Sequence, residues 1–178
     1  MTEPTATFDT QLTRKPSSLS WNYTIDVPIE IAEQFIEKGN RRVICTLNEL
    51  PPYHAALMPN GNGGFFIMVN SDVRKQLKLG KTVNVVELKV QLEKDRSKYG
   101  IHLPEEMEEL LLVDEEGSRF FHQLTPGKQR SLLHIIGKPK SSAIRLKKAV
   151  VVLDFLKLNN GQLDFKLLNQ AFKESNQR

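Results

Sequence analysis

Cysteine is nearly absent from this chain: Cys45 is the only one in 178 residues. A single thiol excludes an internal disulfide and any multi-cysteine zinc or iron–sulfur site. Long apolar runs are missing too, since no stretch approaches the roughly 18 residues a membrane span requires. The start, MTEPTATFDT, has no basic patch and no apolar core, so no secretory signal is expected there. These absences predict a soluble, cytoplasmic protein of a reducing compartment. A strong charge of one sign is also lacking, because 25 Lys and Arg against 21 Asp and Glu leave +4. That excess is mild for a polyanion binder. What is present, 39% hydrophobic and 26% charged residues, reads as globular rather than disordered. A chain of this length buries roughly 70% of its unfolded surface and needs no covalent staples.

Catalytic signatures are likewise missing. No nucleophile elbow, P-loop, H-E-x-x-H or EF-hand loop occurs. The histidines His54, His102, His122 and His134 are scattered, and none sits at ligand spacing from another His, a Cys or a carboxylate. Glu105-Glu106 and Glu108-Glu109 are paired acids, but they occupy the first turns of a predicted helix, where negative charge suits the macrodipole. Cys45 shares a strand face with Val43 and Leu47, which predicts a buried, inert thiol. The expectation is therefore no enzyme, no metal and no cofactor.

Apolar spacing divides the chain into two regions. Up to residue 95 the pattern is strand-like. Leu19, Trp21, Tyr23, Ile25 and Val27 alternate with polar residues, as do Val43, Cys45 and Leu47, and period-two alternation marks half-buried strands. Further strands are predicted over Ala6–Leu12, Tyr53–Met58, Phe65–Val69 and Thr82–Glu93. In the last of these the apolar parity slips between Val85 and Val86, which predicts a β-bulge. Pro28 opens a helix to Lys38, and Asn70-Ser71-Asp72 caps a second, Val73–Leu77. Gly61-Asn62-Gly63-Gly64 reads as a hairpin turn; it lacks the lysine–threonine end of a phosphate-binding loop. The predicted core comprises Phe8, Trp21, Tyr23, Ile25, Val43, Leu47, Phe65, Ile67, Val69, Leu88 and Val90. Six short strands with a bend favour a small closed barrel.

Beyond a polar linker, Lys94–His102, the spacing turns helical. Helices are predicted over Pro104–Val113, Ser118–Gln123, Pro126–Ile136 (capped by Thr125), Ser141–Leu158 and Leu163–Phe172. The expected fold class is α+β: a β-barrel domain over residues 1–95, then a helical module over residues 104–178. Charge is segregated within that module. Seven acids and no base lie in Glu105–Glu116, and seven bases and no acid lie in Lys128–Lys148. The bases, Lys128, Arg130, Lys138, Lys140, Arg145, Lys147 and Lys148, form either a patch for phosphates or one of two solvated, mutually docked helix faces. Short connections favour antiparallel neighbours, so the acidic and basic helices are expected to pack antiparallel and partly neutralise each other.

The segment FFHQLTPGKQRSLLHIIG, Phe120–Gly137, followed by SSAIRLKKAV, resembles the YdeI/OmpD-associated family, also called OmdA-like or bacteriocin-protection proteins. The resemblance rests on a Phe-x-x-Leu-Thr-Pro entry, a basic pair, an apolar helix and a basic helix with Arg. Where that family is expected to carry Thr-Arg, Ser142-Ala143-Ile144-Arg145 stands here. The head, with Val43–Thr46, HAALMPNGNG and VRKQLKLGKTVNVVEL, is similar to a barrel domain of unknown function that precedes such tails. This resemblance implies a bacterial cytoplasmic protein named after a protection phenotype.

The residues themselves point to a non-enzymatic binding module for an unidentified small ligand or protein. Tyr53, His54, Asn60, Asn62 and Arg74 are its candidate ligand-binding residues. The alternative is a nucleic-acid binder. Asn70–Val85 has some likeness to the AbrB-type swapped-hairpin element, and the basic helices would supply phosphate contacts.

Overall fold

A computed structural model describes residues 4–16, 21–79 and 85–177 of the chain. The chain divides into two compact units, Met1–Arg96 and Ser97–Arg178. The first is a nearly closed antiparallel barrel and the second is helical, so the fold is α+β.

The barrel strands are β1 (Thr5–Pro16), β2 (Trp21–Val27), β3 (Arg42–Leu47), β4 (Tyr53–Ala56), β5 (Met58–Pro59), β6 (Phe65–Met68) and β7 (Val85–Lys94). Their order across the sheet is β4-β3-β7-β1-β2-β6-β5. Both edges come from one stretch of chain. β4 pairs with β3 and β5 pairs with β6, with only Leu57 between them. The strand predicted over Tyr53–Met58 thus breaks at Leu57, whose N–H donates to the Arg41 carbonyl at 2.9 Å and whose side chain is buried. Among the described residues that break makes seven strands of the expected six, and it carries the chain from one sheet edge to the other.

Alternation positions the core. Val43, Cys45 and Leu47 of β3 lie beside Val90 and Leu92 of the neighbouring β7 on the inward face of the sheet, with Cys45 opposite Leu92 and Leu47 opposite Val90. Of the predicted core, Phe8 and Phe65 are half-buried, and the Trp21 side chain lies outside the described residues. The expected bulge does not occur in the described part of β7. Its register against β1 runs unbroken from Thr13↔Val85 to Thr5↔Glu93. The remainder of that prediction, Thr82–Asn84, lies outside the described residues, as do Leu19 and Ser20 of the predicted second strand.

Two short helices occur among the described residues of this unit. In α1 (Ile29–Phe35), Ala32 and Phe35 are fully buried. The carbonyl of Phe35, at the helix C-terminus, accepts from Lys94 Nζ, which also donates to Asn40 O at 3.2 Å. An ammonium suits a helix C-terminus, and these carbonyls explain how Lys94 continues the inward face of β7 as a buried residue. Its removal from water lowers its pKa. In α2 (Ser71–Gln76) the predicted cap is realised: Asn70 Oδ1 accepts from the N–H groups of Asp72 and Val73.

The helical unit contains α3 (Glu105–Val113), α4 (Glu115–Gln123), α5 (Pro126–Gly137), α6 (Ser142–Leu158) and α7 (Phe165–Ser175). α6 packs against the other four, burying Ala149, Val152, Leu153, Phe155 and Leu156. Asn159, Asn160 and Gly161 end it. The Gly161 N–H donates to Leu156 O at 2.7 Å with φ +78°, and a Cβ there would meet the Phe120 ring at 2.7 Å. Glycine satisfies both constraints. The stretch expected to be a linker is tied down at its two ends. Lys94 and Asp95 are buried in the first unit and Tyr99 joins the core of the second, leaving residues 96–98 exposed.

No helix of the described residues is long and apolar enough to cross a membrane.

Candidate functional site

A groove of about 880 Å³ opens on the barrel unit. Thr7 and Gln91, cross-strand partners on β1 and β7, form part of its wall together with Lys89. These are the solvent-facing positions of their strands, alternating with the buried Leu88, Val90 and Leu92. The turn after β3 supplies Asn48, Glu49 and Leu50, and the end of α2 supplies Gln76 and Leu77. Asn48 fixes this turn. It adopts a left-handed φ of +53°, its N–H donates to Lys89 O at 2.7 Å, and its Oδ1 accepts from Lys89 N at 3.0 Å. Half-buried Leu50 and Leu77 give the groove an apolar base continuous with the core. Around it stand a carboxylate, an ammonium, amides and a hydroxyl, all on fixed backbone.

None of the five candidate residues lines this groove. Tyr53 lies directly opposite Cys45 in the β3–β4 ladder, with its hydroxyl buried. His54, the next residue, points the other way: its Nδ1 is 2.8 Å from Asp95 Oδ2, with Arg42 Nε at 4.0 Å from the same oxygen. The Asp95 side chain is 1% exposed, so it depends on such partners. The cross-strand neighbour of His54 is Ile44, which offers no nucleophile to activate. Asn60 shapes the hairpin turn, its Oδ1 accepting from the N–H groups of Asn62 and Gly64, and Asn62 is exposed at the tip. The Arg74 guanidinium lies 4.3 Å from the Tyr23 ring centroid. The groove therefore gathers a different set of residues from these five. The groove residues escaped the sequence reading because exposed polar side chains on alternate strand positions look the same beside a groove as on open surface.

Cys45 is fully buried, as its parity with Val43 and Leu47 predicts. Burial pushes its thiol up to about 11, against a smaller opposing influence of the Tyr53 hydroxyl. Thiolate is the reactive form, so modification by a thiol reagent at neutral pH is expected to follow unfolding. A folded protein reacting at the rate of the denatured chain would contradict this placement.

In the helical unit, two charge pairs join α3 to α6. Arg145 grips Glu106 through Nε at 2.9 Å and Nη2 at 2.7 Å. Its Nη1 donates to the carbonyls of Pro139 and Lys140. At the other end, Lys157 Nζ donates to Asp114 Oδ2 at 2.8 Å. The helix starts are paired with each other and so are the helix ends, so α3 and α6 run parallel. The antiparallel arrangement expected for the acidic and basic helices is corrected here. Only Asp114 separates α3 from α4, which is shorter than the 2–5 residues of an αα-hairpin loop, so the up-and-down alternation is lost. Of the seven basic-patch residues, Arg145 is thus committed within the unit. So is Lys148, which donates to Ile135 O at 3.2 Å and lies over the Phe172 ring. Lys128, Lys138, Lys140 and Lys147 are exposed, and Arg130 is half-exposed.

Comparison with known families accounts for both units. Residues 8–86 match the family described as domain of unknown function DUF1905. Residues 101–157 match the family described as bacteriocin-protection, YdeI or OmpD-associated. The chain is thus similar to a DUF1905 domain over its first unit and to a YdeI/OmpD-associated domain over its second. No curated protein and no solved structure matches it. The DUF1905 match takes in Asn48, Glu49, Leu50, Gln76 and Leu77 of the groove, whereas Thr7, Lys89 and Gln91 lie just outside it. The YdeI/OmpD-associated match spans α3 to α6.

Within the helical unit, the Arg145 guanidinium holds the Glu106 carboxyl at about 2, below its ordinary 4.5. Asp114 is held below its ordinary value by the hydrogen bond from Lys157. A carboxyl with a depressed folded-state pKa stabilises the fold above its unfolded value, and that stability is lost as pH falls toward the folded one. The melting temperature of this domain is therefore expected to fall between pH 4.5 and about 2. Thermal melts followed by helical circular dichroism check this, with Glu106→Gln flattening the slope. A slope that is unchanged in the variant would assign the acid sensitivity elsewhere.

Proposed function

We propose that this chain is a non-catalytic binding protein whose DUF1905-like barrel holds a small polar ligand in the groove between β1, β7, the turn after β3 and α2. The observation that carries this reading is the groove itself. Its volume of about 880 Å³ falls in the roughly 300–1,000 Å³ range of small-molecule sites. Glu49 and Lys89 supply opposite charges within it, and Asn48 bonds to the Lys89 backbone to hold that wall in place. Amino acids, amino sugars and other small molecules bearing an amine and an acid group are the chemical class that such walls recognise. The absence of any catalytic motif from the sequence supports binding without turnover.

A thermal-shift screen of such compounds tests the proposal. A ligand that binds only the folded state stabilises it by about 2.7 kcal/mol at a hundredfold excess over Kd, a shift of several degrees. The expected result is a stabilising hit that is lost in a Glu49→Lys/Lys89→Glu double variant, since both side chains sit in the groove wall. A hit that survives in that variant, or no stabilisation by any member of the class, would overturn the groove as the site.

A further inference from the structure

We infer that the helical domain is a self-association surface, and that its partner is a second copy of this chain packed antiparallel about a two-fold axis. Among the described residues the three most exposed large hydrophobics, Leu112 at 78%, Val113 at 76% and Leu158 at 84%, all stand at the ends of α3 and α6. The Asp114–Lys157 pair brings those two ends together. Scattered exposed apolar residues are ordinary, but three at one helix end form a patch. A second apolar group runs from the start of α6 to its middle, where Ile144, Leu146 and Val150 are 50%, 44% and 39% exposed. Leu146 and Val150, four apart, share a face.

The surroundings of the two groups are opposite in charge. The first is flanked by exposed Glu108, Glu109, Glu115 and Glu116, within a run of seven acids that contains no base. The second is flanked by exposed Lys140 and Lys147, within a run of seven bases that contains no acid. Lys157 pairs with Asp114 at the first group and Glu106 with Arg145 at the second, so the exposed charge left over is acidic at one and basic at the other, and one chain carries both. On a second copy the acidic apolar end meets the basic apolar start, and a two-fold axis makes the same contact twice. From Leu146 to Leu158 is twelve residues of helix, about 18 Å at 1.5 Å per residue. Two antiparallel α6 helices therefore place end against start at both sites at once.

This is tested on the full-length chain by light scattering coupled to gel filtration and by sedimentation velocity, over a concentration series. The expected mass is twice 20.3 kDa. Each of two variants, Glu108→Lys/Glu109→Lys and Lys140→Glu/Lys147→Glu, sets like charges against each other at both contacts. Each is expected to weaken the dimer at least tenfold, because juxtaposed like charge disfavours association. Mixing the two variants makes both contacts attractive again and is expected to restore a heterodimer. All four substituted positions are exposed, and unchanged helical circular dichroism confirms that each variant is folded. A monomer at every concentration would overturn the inference, as would a dimer indifferent to both reversals or variants that fail to rescue each other.

Discussion

Replacing Phe35 by alanine is expected to destabilise the barrel domain by about 3–5 kcal/mol, the usual loss for a fully buried phenylalanine. Phe35 is 0% exposed and ends α1, with Lys94 bound to its carbonyl. The substitution keeps that backbone hydrogen bond and removes only the ring, so the loss reports packing. Small domains have about 5–15 kcal/mol in total, so the variant domain is marginal or unfolded at ambient temperature. Ile29 lies on the same helix but is 46% exposed, and Ile29→Ala is the control, expected to cost little. Denaturant titration followed by fluorescence of Trp21, the single tryptophan and a residue of β2, measures both. A Phe35→Ala midpoint indistinguishable from that of Ile29→Ala would mean that α1 does not seat its ring in the core.

Phe121→Ala is the matching experiment in the helical domain. Phe121 is 0% exposed on α4, and its ring makes edge contacts with Tyr99 at 5.9 Å and His122 at 5.4 Å. His122 is itself held, with Nδ1 2.7 Å from Ser118 O and Nε2 2.9 Å from the Tyr99 hydroxyl. The expected loss is again about 3–5 kcal/mol from the cavity, with edge-to-face pairing adding about 0.5–1.5 kcal/mol. Far-ultraviolet circular dichroism during denaturation reads this helical core. Phe121→Leu, which keeps most of the apolar volume, is expected to recover most of the loss. Equal stability of the alanine variant and the parent would remove Phe121 from the centre of this core.

Much of the fold was legible in short stretches. Arg42–Leu47 is a strand with Val43, Cys45 and Leu47 inward because alternation and pleat share a period of two. Asn70, Thr125 and the glycine after Asn160 mark helix ends because a cap is a contact between residues a few positions apart. The change from period-two to helical spacing separated barrel from helices for the same reason. The candidate site was far less legible. Tyr53 and His54 look alike in a turn-flanked strand, yet one turns in beside Cys45 and the other turns out to Asp95, forty-one residues away. Arg145 reads as one of seven solvated bases until α3 delivers Glu106 to it.

By itself, then, the amino-acid order determined which segments are strands and helices, where most of them end, which faces are apolar, and that a barrel-like sheet precedes helices. Those properties arise from periodicity, caps and turn residues, which act over a few positions. Tertiary structure alone decided that the sheet edges meet through Leu57, that Lys94 ends buried among carbonyls, and that α3 lies parallel to α6. It also decided that Thr7, Glu49, Gln76 and Lys89 share one groove. Each of these joins residues distant in the chain. Whether they meet depends on strand register and on how the connecting segments turn, and neither is written in the local pattern of either partner.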